Sequence, residues 1–244
     1  MQSATPGLFI ESLPWPAAEA AIKAFGTIVI PVGARCKEHG LHLPLNTDWV
    51  IAEYLAGRVA EQCQVVVLPT VQYGYYPAFL EYPGSVSIGE AIFRDCIADI
   101  CRSFTPHGAT RFYVLNTGLS TLKPLKAAQD LLGNEGVRMD YTDTQQIART
   151  ERRAVQQQSH GTHADELETS MMLYIAPGLV ELSRACPELA PARPGPLTRN
   201  PQGDGVYSAT GAWGDPTLAT RDKGERIVEA TVREIVQAIQ EKFR

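Results

Sequence analysis

One stretch of six residues, 27–32 (Thr-Ile-Val-Ile-Pro-Val), constrains the fold more than any other part of the chain. It is apolar and β-branched almost throughout, a pattern typical of a parallel strand that is covered on both faces. A helical pattern over residues 17–25 precedes it, with Pro16 suited to the first turn and Gly26 ending the helix. The sequence therefore predicts a helix followed by a fully buried parallel strand.

Further strand-like and helix-like segments alternate along the first half of the chain. We predict strands over 65–69, 111–116 and 137–141, and helices over 49–62, from a capping box at Ser87 to residue 104, and over 122–132. Such alternation is typical of a parallel sheet with helices on both faces. The prediction is an α/β fold of three layers, α/β/α, with a mainly parallel sheet in a single domain over residues 1–244.

The second half of the chain is less regular. Residues 171–175 are apolar and predict a buried helical segment, and residues 221–243 predict an amphipathic final helix. Residues 186–205 are rich in proline and polar side chains, so we expect an exposed excursion rather than core. Two loops, 73–84 and 214–220, have the proline, glycine and aromatic content of functional loops.

Composition narrows the classes of function. A formal net charge of -5, with no basic run interleaved with aromatic residues, argues against nucleic-acid binding. No apolar run approaches the ~20 residues of a membrane span, and residues 1–6 lack the basic and apolar regions of a secretory signal. Five irregularly spaced cysteines favour free thiols in a reducing compartment. We expect a cytoplasmic protein that binds neither membranes nor nucleic acid.

A dense group of ionisable residues follows the first predicted strand. Residues 37–48 contain Glu38, His39, His42 and Asp48 within a dozen positions. Carboxylates and imidazoles are costly to bury unless they are compensated, and a divalent metal accepts these nitrogen and oxygen donors. A second group lies in residues 159–170, so that four of the five histidines fall in two segments. The concentration predicts a metal site at the carboxyl edge of the sheet.

Hydrolytic chemistry fits such a site. A bound divalent ion lowers the pKa of a water ligand toward ~7, so that hydroxide can attack a carbonyl at neutral pH. We expect Asp48 to bridge if two ions bind, Glu168 to act as ligand or base, and His163 to move a proton. Glu166 is better explained as an acid at a helix N-terminus, where the helix dipole favours it.

Several strings of residues resemble the creatininase (creatinine amidohydrolase) family over nearly the whole chain. They are Ile30-Pro31-Val32-Gly33, His39-Gly40-Leu41-His42-Leu43-Pro44 with Asp48, Tyr82-Pro83-Gly84-Ser85, His163-Ala164 with Glu168-Thr169-Ser170, and Gly214-Asp215-Pro216 with Ala219-Thr220. The resemblance implies an α/β/α fold, a homo-oligomer that is usually a hexamer, and one or two divalent ions such as Zn, Mn or Fe. It also implies hydrolysis of small substrates, chiefly amides and lactams.

The resemblance also suggests roles for individual residues. His39 and Asp48 match metal ligands, and Glu38 is taken as the counterpart of the family's metal-binding glutamate, although the family has Glu-Gln-His-Gly where this chain has Lys-Glu-His-Gly. The family's Asn-Gly-His-Gly-Gly-Asn turn, whose histidine binds metal, is Asn-Thr-Gly-Leu-Ser-Thr here, at residues 116–121. We therefore favour one tightly held ion at Glu38, His39, Asp48 and Glu168. The predicted substrate-binding residues are His42, Tyr73, Asn116, Ser120, Thr121 and His160.

Three functions and one alternative mechanism are compatible with these residues. The favoured function is hydrolysis of an amide or lactam C–N bond in a small polar substrate, with a cyclic substrate preferred. The altered turn also allows a ring-opening C–C hydrolase of an oxidised cyclitol, of the keto-inositol type. A protein that binds metal or ligand without catalysis is a third possibility. A cysteine hydrolase using Cys36 would instead be sensitive to thiol reagents and indifferent to chelators.

Overall fold

A five-stranded parallel sheet forms the centre of the molecule. The computed structural model describes residues 6–243. The strands are β1 (Leu8–Phe9), β2 (Thr27–Val32), β3 (Val66–Val67), β4 (Arg111–Asn116) and β5 (Arg138–Tyr141), in the order β1-β3-β2-β4-β5. The two longest strands, β2 and β4, pair from Thr27 opposite Arg111 to Val32 opposite Asn116. The carboxyl ends of these strands therefore lie side by side at one edge of the sheet.

Helices cover both faces of this sheet. One face carries α2 (Thr47–Ala60), α6 (Glu166–Ile175) and α7 (Arg221–Lys242), with α5 (Arg149–Val155) packed on α7. The other carries α1 (Trp15–Phe25), α3 (Glu90–Phe104) and α4 (Leu122–Asn134). Side chains alternate between the two cores, so that Val29 faces α2 while Ile28 and Ile30 face the opposite layer. The three-layer α/β/α fold with a parallel sheet is confirmed.

A glycine after β2 lets α2 begin close to the end of this strand. A Cβ atom at Gly33 would lie 2.4 Å from the carbonyl oxygen of Asp48. Any larger residue at position 33 would therefore force the backbone to shift. Thr47 adds a local contact, because its hydroxyl donates to the carbonyl of Pro44 at 2.7 Å. The loop between β2 and α2 is thus folded tightly, and it brings residues 37–39 next to Asp48.

Some element boundaries differ from the predictions. Helix α3 begins at Glu90, with Gly89 rather than Ser87 at its cap. The hydroxyl of Ser87 instead accepts the backbone N–H of Tyr76 at 2.8 Å, so this side chain holds the aromatic loop and the predicted capping box is wrong. The second predicted strand is also shorter, since only Val66–Val67 pair as β3.

The expectation of an exposed excursion holds for most of residues 186–205 but needs correction near the end of this segment. Two short parallel strands, β6 (Leu197–Thr198) and β7 (Val206–Tyr207), form at its end. Leu197 and Val206 are buried in a small core with Phe79 and Tyr82 from the aromatic loop. Their apolar partners are supplied by a segment more than 100 residues earlier in the chain, which local composition does not reveal.

No helix within residues 6–243 combines the length and apolar character that crossing a membrane requires. The expectation that residues 1–6 contain no secretory signal falls almost entirely on residues 1–5, which lie outside the described residues.

Candidate metal centre

Two segments that are distant in sequence meet at the carboxyl edge of the sheet. Ligand atoms of His39, His163 and Glu168 lie within 4.8 Å of one another. His39 Nε2 is 3.7 Å from Glu168 Oε1, and His163 Nδ1 is 3.8 Å from Glu168 Oε2. Asp48 Oδ1 joins the group at 3.2 Å from His39 Nε2. The convergence predicted from the two histidine-rich segments is therefore present.

Each imidazole in this cluster has an acceptor on its outer nitrogen. His39 Nδ1 lies 2.9 Å from the carbonyl oxygen of Lys37, and His163 Nε2 lies 2.7 Å from Glu38 Oε1. With the protons held on those outer nitrogens, the inner nitrogens present lone pairs toward Glu168. Metal-binding histidines are commonly oriented in this way by a carbonyl or carboxylate. Acceptor atoms facing one another fit a bound divalent cation.

The start of helix α6 places Glu168. Asp165 caps the helix by accepting the backbone N–H groups of Leu167 and Glu168. Ala164 has a φ of 47°, a left-handed conformation uncommon for a residue with a side chain, and its N–H donates to Glu168 Oε2 at 2.7 Å. The turn thus presents the Glu168 carboxylate toward His39 and His163.

A buried lysine lies on the other side of Asp48. Lys37 Nζ is 2.7 Å from Asp48 Oδ2, and 4.7 Å from the centre of the Phe79 ring. Burial alone would lower the pKa of Lys37, but the charges of Asp48 and Glu168 outweigh it and hold this pKa above its usual 10.5. Burial likewise opposes ionisation of Asp48, yet the charge of Lys37 keeps the pKa of this carboxyl below its ordinary value. Lys37 is therefore an ammonium and Asp48 a carboxylate.

Glu38 does not face the cluster as a ligand, which differs from the prediction. Its Oε1 accepts from His163, and its Oε2 accepts the backbone N–H of Gly40 at 3.0 Å. A Cβ at Gly211 would lie 2.0 Å from Glu38 Oε2, so this carboxylate is enclosed by backbone. Burial raises the pKa of Glu38. The charge and hydrogen bond of His163, together with the hydrogen bond from Gly40, outweigh this effect, so the pKa of Glu38 lies below its usual 4.5. Glu38 orients His163 instead of holding an ion directly.

The residue that the sequence interpretation missed is Lys37. If the motif is aligned with the family's Glu-Gln-His-Gly on the glutamate, Glu38 is the counterpart of the family's ligand. If it is aligned on the histidine, Lys37 takes the position of that ligand and Glu38 takes the position of the family's glutamine. The difference between Lys-Glu-His-Gly and Glu-Gln-His-Gly was the available signal.

A cavity of about 520 Å³ opens beside the cluster. Lys37, Asp48, His163 and Glu168 are among the residues that line it. Its walls combine apolar and polar side chains from several elements, among them Tyr76, Phe79, Ser120, Thr144, Leu197 and Trp213. A pocket of this size and mixed character suits a small polar ligand.

The third-strand turn contributes one free polar side chain to this cavity, next to the apolar Leu119. Ser120 is half-buried and lines it. Asn116 also lies at its wall, but its amide bonds to Gly118 and accepts the Thr121 hydroxyl at 2.6 Å. Asn116 and Thr121 therefore shape the turn, which departs from the substrate-binding role predicted for them.

Three other predicted substrate-binding residues lie away from the cavity. His42 is buried, and its Nε2 lies 2.8 Å from the hydroxyl of Thr169, so it fastens the loop to α6. Tyr73 is 46% exposed and does not line the cavity. His160 contacts the carbonyl oxygens of Leu189 and Ala190 and supports the loop behind the cavity wall. Cys36, the alternative nucleophile, does not line the cavity either.

Comparisons with known proteins agree with this fold. The sequence profile of the family described as "Creatininase: Creatinine amidohydrolase" matches residues 11–239. The chain is 29% identical to the creatinine amidohydrolase of Pseudomonas putida, with 97% of each chain covered. It is 34% identical to the mycofactocin precursor peptide peptidase of Mycolicibacterium smegmatis, over 82% of this chain and 78% of that one.

Solved structures give the same result. A structure described as "Creatininase Mn" superposes with a TM-score of 0.81 at 27% identity, covering 97% of this chain and 99% of the other. A mutant creatininase described as "Zn-Zn type" also reaches 0.81, at 26% identity, over 98% of this chain and 99% of the other. The fold and the clustered ligand atoms define a metal-dependent hydrolase. This chain belongs to the creatininase family. The prediction of a divalent-metal cofactor is confirmed by related structures described with Mn and with Zn and by the clustered ligand atoms of this chain.

Proposed function

We propose that this protein hydrolyses a C–N amide bond in a small polar substrate. Relatives named as an amidohydrolase and as a peptidase both support amide cleavage. The observation that carries the proposal is the cluster of His39, His163 and Glu168, which opens through Glu168 and His163 onto a cavity of about 520 Å³. A cavity of this volume suits a small ring or the end of a peptide better than a folded protein.

We assign His39, Asp48 and Glu168 to the ion. His163, the other histidine of the cluster, lines the cavity whereas His39 does not, so we keep it for proton transfer. The charges in and around the cluster support one divalent cation. Glu38, Asp48 and Glu168 supply three negative charges, and the ammonium of Lys37 neutralises one of them. When bound, the ion would supply a Lewis acid and lower the pKa of water.

The other side chains would handle charge and protons. His163 lines the cavity and is held by Glu38, so we assign it to proton transfer toward the leaving nitrogen. Lys37 lines the same cavity and would provide positive charge where the carbonyl oxygen becomes negative. Preorganised charge of this kind needs no rearrangement during the reaction.

A substrate panel tests the proposed reaction. Lactams, cyclic ureas including creatinine, short peptides and keto-inositols would be incubated with the metal-loaded protein and with the same protein after chelation. We expect release of an amine or ring opening of an amide, lost on chelation and restored by Zn²⁺ or Mn²⁺. Turnover of keto-inositols alone would contradict amide hydrolysis.

Two histidine variants test the division of roles. His39→Gln should lose the bound ion together with activity, because Nε2 of His39 faces both Asp48 and Glu168. His163→Gln should retain the ion and lose turnover. Elemental analysis measures the metal content of both variants. Loss of the metal in His163→Gln rather than in His39→Gln would contradict the assignment. Exposed His107 offers a control, His107→Gln, that should change neither.

Ring opening of an oxidised cyclitol remains the second candidate. One observation favours it: side chains that carry hydroxyl groups recur among the residues that line the cavity, at Ser120, Thr142 and Thr144. Hydroxyl groups in that position suit a polyhydroxylated ring. The keto-inositol arm of the panel tests this candidate directly.

A further inference from the structure

Two of the family's ligands are replaced in this chain. Lys37 stands where the family has its metal-binding glutamate, and Gly118 stands where the third-strand turn has its histidine. Both positions lie against Tyr76: a Cβ at Gly118 would lie 3.1 Å from Cε1 of this ring, and the ammonium of Lys37 lies 5.6 Å from its centre. The replacements therefore remove a carboxylate and an imidazole from one region of the site.

The ammonium of Lys37 occupies that region. It lies 2.7 Å from Asp48 Oδ2, and the lysine side chain is only 6% exposed. The rings of Phe79 and Tyr76 lie 4.7 and 5.6 Å from the nitrogen, close enough for favourable cation–π contacts. The carboxylate and the two aromatic rings together form a site built for a positive charge.

We propose that the Lys37 ammonium replaces one of the two metal ions of a binuclear centre, leaving a single ion at His39, Asp48 and Glu168. A related structure is described as "Zn-Zn type", so two ions are the point of comparison. Asp48 would then have two cationic partners: Oδ2 contacts Lys37, and Oδ1, 3.2 Å from His39 Nε2, would be available to hold the remaining ion. The inference rests on the metal centre of the proposed function.

The exchange has a chemical consequence. Lysine supplies a compact charge and hydrogen-bond donors but offers no open coordination position. On the Lys37 side the substrate therefore meets a fixed donor, whereas only the His39 side can hold a displaceable water. The charge at Lys37 is also independent of the metal supply.

Metal stoichiometry of the wild-type chain is the decisive measurement. The purified protein would be stripped with chelator, saturated with Zn²⁺ or Mn²⁺, dialysed and analysed for metal per chain. Crystals of the Mn²⁺-loaded protein would locate the ion by anomalous scattering. We expect one ion per chain, beside His39 and away from the Lys37 nitrogen. Two ions per chain would overturn this inference, whereas none would overturn the metal centre itself.

Variants at positions 37 and 118 extend the test. Lys37→Glu restores the family's carboxylate next to Asp48, and Gly118→His restores the imidazole of the turn. We expect the stoichiometry of the double variant to rise from one ion to two at saturating metal. Lys37→Met removes the ammonium without adding a ligand, so this matched control should stay at one. A stoichiometry of one in the folded double variant would count against the inference. If the double variant does not fold, the wild-type stoichiometry and anomalous map still decide it.

Discussion

His163 donates through Nε2 to Oε1 of Glu38 at 2.7 Å, joining two residues that are 125 positions apart in the sequence. The same imidazole nitrogen also lies 3.0 Å from the backbone carbonyl of Glu38. Phe79 packs against the ring, with the two ring centres 4.4 Å apart. His163 therefore has one orientation, with Nδ1 turned toward Glu168.

We expect Glu38→Gln to reduce turnover while leaving the metal content unchanged. The amide can still accept from His163, but it lacks the charge that stabilises a protonated imidazole. Substitutions of such outer carboxylates commonly cost ~10–100-fold in activity or metal affinity. Steady-state kinetics on the substrate identified by the panel, with metal analysis alongside, checks this. Glu181→Gln, at an exposed glutamate, is the matched control; loss of the ion in Glu38→Gln would mean that Glu38 is a ligand.

Gly211→Ala should disturb the same carboxylate from the opposite side. The added methyl group would lie 2.0 Å from Glu38 Oε2, and Gly211 has a φ of 94° that suits glycine. We expect lower activity and a loss of about 1–3 kcal/mol in the free energy of unfolding, from strain of this kind. Urea denaturation measures it.

Gly57→Ala is the control for that variant. Gly57 lies inside α2 with nothing within 4 Å of an added Cβ, so alanine should stabilise the chain by about 0.5–1 kcal/mol. Equal effects of the two substitutions would show that the Glu38 enclosure has no energetic role.

The buried imidazole of His42 should make stability fall in mild acid. Burial lowers its pKa from 6.5 to about 4, so the unfolded chain binds a proton that the folded chain excludes between these values. Its contribution to stability, up to about 3 kcal/mol, is present above pH 6.5 and is lost as the pH falls toward 4.

His42→Gln should therefore flatten the dependence of the unfolding free energy on pH between about 4 and 6.5. The exposed His107 provides the comparison, since His107→Gln should leave that slope as in the wild type. Denaturant titrations across the pH range test this prediction. An unchanged pH dependence of the unfolding free energy in His42→Gln would show that the buried imidazole of His42 is not its cause.

Glu166 and Glu168 are two residues apart, yet their variants should behave oppositely. Glu166 is fully buried and accepts from the backbone N–H groups of Gln157 and Gln158 and from the ammonium of Lys223. Glu166→Gln should cost about 3 kcal/mol of stability by leaving Lys223 without its counter-charge, with metal content unchanged. Glu168→Gln should lose the ion with little loss of stability. Thermal unfolding and elemental analysis of both variants separate these outcomes.

The regular part of the fold could be predicted from the sequence because its signals are local. Strands 27–32 and 111–116 have the predicted bounds, since a strand covered on both faces is apolar along its whole length. The meeting of the two histidine-rich segments also followed from the sheet edge. By contrast, which of Lys37 and Glu38 faces the cluster depends on backbone directions in an irregular loop, and no periodic pattern reports those directions.

The cavity wall was harder to predict for a different reason. Leu197 and Val206 lie in a proline-rich, polar segment, and their burial depends on Phe79 and Tyr82. Such long-range contacts have no signature in the composition of either segment. His42 was misassigned because a histidine inside a motif has the same appearance whether it binds substrate or Thr169.

The charged cluster and the far wall of the cavity come from separate stretches of chain. Residues 37–48 and 163–168 carry the cluster, whereas Arg193, Gly195, Leu197 and Val206 belong to the segment around the small β6–β7 pair. Insertions or replacements in that segment could change which molecules fit without moving a single ion-binding atom. Evolution could thus retune selectivity in this scaffold while its reactive centre stays constant, and grafting the segment between relatives is a direct route to altered substrate preference.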